Sequence, residues 1–513
     1  MHERRTTVSS IPRNIAANYV GRIWGVVSVY LFIPVYLNFL GIEAFGLIGF
    51  YSTLAGVLAF ADMGLTATLN RETARLSAHP GRFREVREAL RTYETIYLGL
   101  VCAVGASVWA MAPMIAERWL QSRALEPQEV SAVVRVMAIS LGLQLLSGLF
   151  IGGLLGLQRQ VLANGLQIVW SLIRGVGTTL VLWLVSPTIL AFAFWQLVSN
   201  AIYLFMSRAS LWRALSESNC NARAPFNWQV LRGTWRYAAG MIGMTAISTL
   251  LTQTDKLAVS KMLPLEMLGY YTLAAVLAAV TGNLAGPIVR AVFPRLTTCV
   301  ELSDREGLVH LYHRTSQFVA LAIVPGGVTV AAFSGELIYA WTGSVNAAAN
   351  AGPVASLLTA GALMQSLTVV PYYVALAHGD VRLNLLIGVG SILVLIPLLA
   401  VLVPEYGVLG AGGGWLVMNI IMFLPYLYFI HRRFLAGEFR KWARFALMQP
   451  LLLSLPWVLL GRLIMPQFES RGAILLWVGI TCGLALVGTA MGIPGIRSRI
   501  KKSYDLSGAP YAR

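Results

Sequence analysis

Charged side chains are scarce in this sequence. Asp, Glu, Lys and Arg make up 12% of its 513 residues, against about 25% in a typical soluble domain. Apolar residues account for 57% of the chain, and the mean hydropathy is +0.69. This composition excludes a soluble domain, and runs of about 20 apolar residues, the length of a membrane span, occur almost end to end. We therefore predict an all-α polytopic membrane protein, since the alternating segments of an outer-membrane barrel do not occur.

Cysteines and long polar loops are also rare. The four cysteines have neither metal-site nor disulfide-framework spacing; they are Cys102, Cys220, Cys299 and Cys482. No exposed segment is long enough to form a separate domain, the largest being residues 208–236. The apolar stretch behind the short basic segment Met1–Asn14 is too long for a cleaved signal peptide. It is predicted to be an uncleaved first span.

Fourteen membrane spans are predicted, and their even number puts both termini on one side of the membrane. They cover residues 15–39, 44–68, 92–116, 131–156, 164–185, 188–207, 236–260, 267–291, 315–334, 353–377, 384–403, 408–430, 446–465 and 472–493. Of the 39 Lys and Arg residues, 29 then lie in cytoplasmic segments, with Arg236 at the first position of span seven counted among them, four lie in outer segments and six within spans. The positive-inside rule places both termini in the cytoplasm. Topology explains most of the net charge of +17, so no nucleic-acid partner is predicted, and the basic loops suit anionic lipids.

The sequence indicates an internal repeat after six spans. The segment from Leu40 to Gly46 matches the segment from Leu263 to Gly269 at an offset of 223 residues, with Glu-x-x-Gly in both. Asn164 and Trp195 match Asn384 and Trp415, each at an offset of 220 residues. Two parallel repeats around a central site are a common transporter design. The predicted divisions are 1–207 (first six-helix repeat), 208–235 (cytoplasmic linker), 236–430 (second six-helix repeat), 431–493 (two accessory helices) and 494–513 (basic cytoplasmic tail).

Several ionisable residues lie inside the predicted spans. A charge there costs about 3 kcal/mol on insertion scales, so it normally faces a cavity or a partner. Arg174 is roughly 15 Å from either end of span five at 1.5 Å per residue. It is either a structural residue paired with backbone carbonyls or a charge in a cavity. Arg22 and Asp62 lie at similar depth in the first two spans, where they could form a structural ion pair or line a polar pathway.

Three further charges lie in spans seven and eight. Asp255 and Lys256 are neighbours near the outer end of span seven and point about 100° apart, so separate partners are expected. Asp255 is either an interfacial carboxylate beside a snorkelling Lys or a site for H⁺ or Na⁺. Arg290, near the cytoplasmic end of span eight, is either an interface anchor or a residue of the cargo entrance. The amides within spans are expected to join helices; they are Gln144, Gln167, Gln196, Asn200, Gln253, Asn283, Gln365 and Asn419.

Several motifs resemble those of the bacterial polysaccharide transport family. These proteins are lipid-linked oligosaccharide (O-antigen type) flippases of the multidrug/oligosaccharidyl-lipid/polysaccharide (MOP, MATE-like) exporter superfamily. The motifs are Tyr36-Leu-Asn-Phe-Leu-Gly41-Ile-Glu43-Ala-Phe-Gly46, Phe60-Ala-Asp62-Met-Gly64-Leu, Asn70-Arg71-Glu72, Gln253-Thr-Asp255-Lys256-Leu and Trp341-Thr-Gly343-Ser344. The resemblance covers essentially the whole chain, and its motifs are specific for the family rather than for the substrate.

This resemblance implies alternating access, with two six-helix bundles forming a V around a central cavity. The cargo would be an undecaprenyl-diphosphate-linked oligosaccharide, moved from the cytoplasmic to the periplasmic leaflet for O-antigen or exopolysaccharide synthesis. Arg is the natural partner for a diphosphate because its planar fork matches phosphate oxygens. The candidate cargo-binding residues in the cavity are Arg22, Arg174, Lys256 and Arg290. The candidates for ion coupling, or for an ion pair in the cavity, are Asp62 and Asp255.

The same resemblance implies no catalytic residue, metal site or cofactor beyond coupling to H⁺ or Na⁺. Expected partners are the lipid-linked cargo, membrane lipids, a polysaccharide polymerase and other assembly proteins. The chain is expected to be a monomer in the bacterial cytoplasmic (inner) membrane. An alternative is a cation-coupled small-molecule exporter of the multidrug type. A membrane polymerase or ligase is a weaker alternative, because the predicted outer loops are too short to carry its active site.

Overall fold

The computed structural model describes residues 11–62, 64–77, 79, 83–216, 226–468 and 470–492. Within these ranges the chain is helical nearly throughout and contains no β-strand. Many large side chains on the helices are both apolar and exposed; Phe205 is 74% exposed and Leu463 81%. Such a surface suits lipid rather than water as the surrounding solvent. The prediction of an all-α polytopic membrane protein is confirmed.

Sixteen α-helices are present in the described part of the chain. The first seven are α1 (Ile11–Leu58), α2 (Leu65–Ser77), α3 (Phe83–Met114), α4 (Pro127–Gly156), α5 (Gln160–Leu184), α6 (Ile189–Ser216) and α7 (Trp228–Met262). The others are α8 (Leu265–Glu301), α9 (Arg305–Ala332), α10 (Ser334–Thr342), α11 (Val345–Leu367), α12 (Val369–Ala377), α13 (Val381–Phe434), α14 (Phe439–Trp442), α15 (Gln449–Leu463) and α16 (Arg471–Gly492). A 3₁₀ turn covers Ala59–Asp62, and π-helical turns cover Ile115–Trp119 and Ala443–Met448.

Eleven helical segments of the described chain are long and apolar enough to cross a membrane. Two of them contain α1 and α13, with 48 and 54 residues, and each of these two helices is interrupted by one glycine with positive φ. These glycines are Gly41 (φ 78°) and Gly407 (φ 58°), both in predicted turns between spans. Each helix is roughly 70–80 Å long at 1.5 Å per residue, which is enough for two crossings of a bilayer core about 30 Å thick. With α7 as a further 35-residue helix, the chain has room for the fourteen predicted crossings.

The chain divides into two compact units, Met1–Gly269 and Tyr270–Arg513. The core of the first unit is formed by α2 to α6 around fully buried side chains such as Leu69, Tyr93 and Phe150. Helix α7 also belongs to this unit, since it packs on α1 with Gln253 against Gly56. The second unit has its own core around fully buried residues such as Tyr312 and Trp442.

Two glycines of the predicted repeat approach each other closely in the first unit. A Cβ on Gly46 would lie 2.1 Å from the carbonyl oxygen of Leu265, and a Cβ on Gly269 would lie 2.4 Å from that of Ile42. Ile42 and Leu265 each precede the glutamate of the repeated motif, so the two contacts are reciprocal. Only glycine permits this backbone approach. The boundary between the compact units lies at Gly269, after this contact, and not in the predicted linker at 208–235.

The second predicted span, residues 44–68, is not one continuous helix. Helix α1 ends at Leu58, and a new helix, α2, begins at Leu65 after Gly64 adopts a φ of 69°. The Asp62 Oδ1 atom accepts hydrogen bonds from the Thr66 amide (3.2 Å), the Thr66 hydroxyl (2.5 Å) and the Tyr97 hydroxyl (2.8 Å). Asp62 therefore stabilises the first turn of α2, where backbone amides lack helical partners, and ties that turn to α3.

The accessory helices α15 and α16 pack on α9 and α10 of the second unit. Arg462 of α15 forms an ion pair with Glu336 of α10, and its guanidinium carbon lies 5.5 Å from the centroid of the Phe333 ring. Trp477 of α16 donates a hydrogen bond to the carbonyl of Gly461 (3.0 Å). Phe333 and Val458 belong to an apolar cluster that also includes side chains of α16.

The bonds of Asp62 predict how its variants behave. Asp62→Ala removes three hydrogen bonds and should lower the stability by about 1–2 kcal/mol. Asp62→Asn keeps an acceptor oxygen at the same position and should unfold at nearly the wild-type temperature. Thermal unfolding of the purified protein in detergent measures both effects. Glu126→Ala is the matched control, because Glu126 precedes α4 without a capping side-chain bond. Equal destabilisation by the Asn and Ala variants would contradict a purely structural role.

Candidate functional site

Arg174, which the sequence places deep in span five, lies on α5 and stacks on an aromatic ring. Its guanidinium carbon is 4.9 Å from the centroid of Trp170, one turn earlier on the same helix. This distance is within the range of a cation–π contact. In the described part of the chain no carboxylate lies within ion-pair distance of Arg174. Its side chain is half-buried, so the charge is held in place without being neutralised by the protein.

Trp170 connects Arg174 to a buried group of polar side chains. The Trp170 indole N–H donates to Asn200 Oδ1 on α6 (3.2 Å), and the Asn200 amide donates to the Ser140 hydroxyl on α4 (2.8 Å). The Asn200 amide also lies 3.3 Å from the Tyr51 hydroxyl of α1. We define the Arg174 network as the six residues Tyr51, Ser140, Gln144, Trp170, Arg174 and Asn200, with Tyr51 donating to Gln144 at 3.3 Å. The network joins four helices of the first unit.

A second set of contacts fixes the backbone of α5 at Arg174. The Thr178 hydroxyl donates to the Arg174 carbonyl (2.5 Å), and the Gln196 amide of α6 donates to Thr178 (3.1 Å). Gly175 leaves room for the ring of Phe32, because a Cβ there would lie 2.1 Å from a ring carbon. Gly177 does the same for Trp195, where the clash would be 2.2 Å. Helices α1 and α6 therefore close on both sides of α5, and the position of Arg174 is well defined.

This arrangement suits the binding of an anion. A guanidinium carries several N–H donors in a plane that matches the oxygens of a phosphate. Arg174 is ten residues from the C-terminal end of α5, roughly 15 Å at 1.5 Å per residue. An anion at that depth would otherwise lose its water without compensation. The network holds its cation rigidly, so little entropy is lost when a ligand binds.

The predicted pair of Arg22 and Asp62 is not formed in the structure. Asp62 accepts from Thr66 and Tyr97, whereas the Arg22 side chain is exposed. The depth of the two residues along their helices was estimated from a continuous second span. The break at Gly64 places Asp62 in a 3₁₀ turn directed at α2 and α3. These bonds give Asp62 a structural role at the start of α2, while its part in ion coupling stays a prediction.

The remaining candidates are Lys256 and Asp255 on α7 and Arg290 on α8. Lys256 Nζ is within 3.3 Å of the Thr252 carbonyl and 3.5 Å of Gln253 Oε1, on its own helix. Asp255 is buried on the same helix. Arg290 is exposed on α8 in the second unit. These three residues remain predicted site residues.

The network itself was only partly predictable from the sequence. Asn200, Gln144 and Gln196 were expected to join helices, and they do. The ring of Trp170 stacks on Tyr203 with centroids 4.6 Å apart and also contacts the Arg174 guanidinium. Tyr51 and Ser140 carried no sequence signal. The four-residue spacing of Trp170 and Arg174 is the one pattern that could have identified the stacked pair.

Comparisons with known proteins agree with this architecture. A family model described as "Polysaccharide biosynthesis protein" matches residues 11–300, more than half of the chain. A Shigella flexneri protein named "Putative O-antigen transporter" is 23% identical over 392 residues, which cover 76% of this chain and 90% of that relative.

Two solved structures show the same fold at low sequence identity. The lipid II flippase MurJ, in an inward closed conformation, has a TM-score of 0.72 at 13% identity, over 95% of this chain and 99% of the other. An inward-facing MATE multidrug transporter of the MOP superfamily has a TM-score of 0.59 at 12% identity, over 81% of this chain and 98% of the other. The chain therefore belongs to the polysaccharide biosynthesis protein family and has the all-helical membrane fold found in MurJ and in MATE transporters of the MOP superfamily.

Proposed function

We propose that the protein is a flippase that moves an undecaprenyl-diphosphate-linked oligosaccharide from the cytoplasmic to the periplasmic leaflet by alternating access. The observation that carries this proposal is Arg174, a cation deep in a membrane helix without a carboxylate partner among the described residues. The family match and the O-antigen relative suggest the class of cargo. The product would enter O-antigen or exopolysaccharide synthesis.

The chemistry of the cargo explains why such a cation is needed. A diphosphate carries about two negative charges, whose transfer into hydrocarbon is prohibitive unless they are paired. The sugar head can bond to amides and hydroxyls, while the polyprenyl tail remains in lipid. Arg174 would bind a phosphate by charge-assisted hydrogen bonds. The Arg174 network would keep the guanidinium oriented during the movement.

A cation-coupled multidrug exporter is the second candidate, because MATE transporters have the same fold. The charge at Arg174 argues against cationic drugs as cargo, since an unpaired guanidinium repels them. A polymerase or ligase is disfavoured by the short predicted outer loops, and we therefore propose no enzymatic activity. The distribution of Lys and Arg supports an inner-membrane protein with both termini in the cytoplasm. Lys256 and Arg290 remain proposed contacts for cargo, and Arg22, which is exposed, remains a third.

The proposed contact between Arg174 and the cargo phosphate can be tested by substitution. Arg174→Ala removes the charge-assisted bonds to phosphate, worth about 1.5–3 kcal/mol or roughly ten- to a hundredfold in binding. Surface polysaccharide in a strain that depends on this protein should fall by a comparable factor, while Arg174→Lys should retain part of it. Arg118→Ala, an exposed arginine in a predicted outer segment, should leave the output unchanged. Full output from Arg174→Ala, at equal protein level in the membrane, would exclude Arg174 from the mechanism.

The second prediction concerns ion coupling. Asp255 is a buried carboxylate on α7 and, with Asp62, one of the two proposed sites for H⁺ or Na⁺. Asp255→Asn keeps the shape of the side chain but removes its charge. Export of the cargo from vesicles should then no longer depend on a proton or sodium gradient. Glu117→Gln is the control, because the Glu117 carboxylate is exposed in the turn that follows α3. Unchanged gradient dependence in the Asp255→Asn vesicles would assign Asp255 a structural role.

A further inference from the structure

A second arginine without a carboxylate partner lies at the N-terminal end of α3. The Nε and Nη1 atoms of Arg87 are buried and have no hydrogen-bond partner in the described part of the chain. Its guanidinium carbon lies 5.7 Å from the centroid of the Trp212 ring on α6. Two buried N–H groups without a hydrogen bond are costly, because they have lost water without compensation. Among the described residues nothing offers an acceptor to these two groups.

The neighbouring carboxylates are engaged by other arginines. Glu94 is bonded at one oxygen by Arg208 (2.7 Å) and at the other by Arg91 (3.2 Å). Glu88 is bonded by Arg84 at 3.1 Å. Neither glutamate lies within ion-pair distance of Arg87, and the excess positive charge of the group has no counterion among these side chains.

Arg87 and Arg208 both contact the ring of Trp212. The Arg208 guanidinium carbon lies 6.0 Å from the same ring that Arg87 contacts. Glu94 then links Arg208 to Arg91, so the three arginines form one connected group. We call this group, defined by Arg87, Arg91, Arg208 and Trp212, the α3–α6 arginine cluster. Its position is fixed by the buried core that packs Leu90 and Leu211 together beneath it.

The cluster lies at the level of lipid headgroups. Arg87 and Arg91 directly precede the predicted span 92–116, and Arg208 directly follows the predicted span 188–207. Both of these ends are on the predicted cytoplasmic side, where anionic lipids attract basic residues. Tryptophan is also enriched at this depth.

We propose that the α3–α6 arginine cluster is a phosphate-binding site, with Arg87 donating its free N–H groups to the phosphate oxygens. The cluster carries three positive charges against the single charge of Glu94, which suits a ligand of one or two negative charges. The phosphate belongs either to the headgroup of an anionic phospholipid or to a soluble phosphate compound. The site is separate from the Arg174 network, and the proposal does not depend on what the protein transports.

Thermal unfolding of the full-length protein in a neutral detergent tests the proposal. The probes are phosphatidylglycerol, phosphatidylcholine and inorganic phosphate, each titrated at constant ionic strength. Phosphatidylglycerol or inorganic phosphate should raise the Tm of the wild type, and the half-saturating concentration should increase about tenfold in Arg87→Gln, as expected for a lost charge-assisted bond. Arg84→Gln is the matched control on the same helix, because Arg84 is exposed and pairs only with Glu88.

The probes also separate the two sources of phosphate. A response to phosphatidylglycerol but not to inorganic phosphate assigns the site to a lipid headgroup, and a response to inorganic phosphate assigns it to a soluble compound. Arg87→Lys keeps the charge but loses the planar fork, so its half-saturating concentration should lie between those of the wild type and Arg87→Gln. This variant replaces Arg87→Gln in the test if Arg87→Gln does not fold. The proposal is overturned if neither probe raises the Tm more than phosphatidylcholine does, or if both Arg87 variants respond as the wild type does.

Discussion

The contact between Arg174 and Trp170 is the interaction on which the rest of the site depends. A charge at this depth in a membrane helix costs about 3 kcal/mol on insertion scales. Here the ring of Trp170 offsets part of that cost, and the Trp170 indole is itself fixed by Asn200. Loss of Asn200 would therefore leave buried polar groups unsatisfied on α1, α4 and α5 together. The polar network therefore holds the ring on which the charge stacks, and the proposed role of that charge is to bind an anionic cargo.

Glycine provides the close packing that makes this arrangement possible. Gly175 and Gly177 let aromatic side chains reach the backbone of α5 on both sides of Arg174. At the other end of the first unit, Gly46 and Gly269 allow the two repeated motifs to approach within backbone contact. In lipid there is little hydrophobic force between helices, so such close approach is a main source of their association. The glycines thus promote helix association in this membrane protein, as the burial of apolar side chains does in a soluble protein.

Hydropathy predicted the spans and their turns, because a bilayer imposes a fixed length of apolar helix. The bends at Gly41 and Gly407 lie where the sequence placed turns. The break before α2 was missed because the apolar run continues through it, and only the φ of Gly64 and the bonds of Asp62 end the helix. Residue depth along a helix could be counted, but the direction of a side chain around its axis could not. The sequence could therefore not show that Asp62 bonds to Thr66 and Tyr97, nor could it assign Tyr51 to the network.

Transport of a defined cargo by the purified protein tests the central claim most directly. Proteoliposomes would contain an undecaprenyl-diphosphate-linked oligosaccharide in the inner leaflet. A glycosidase added outside would cleave the oligosaccharide only after it has reached the outer leaflet. The proposed function predicts protein-dependent movement of this lipid and none of a cationic dye. Gradient-driven dye transport, with the lipid-linked oligosaccharide crossing no faster than in protein-free vesicles, would contradict it and favour a multidrug exporter.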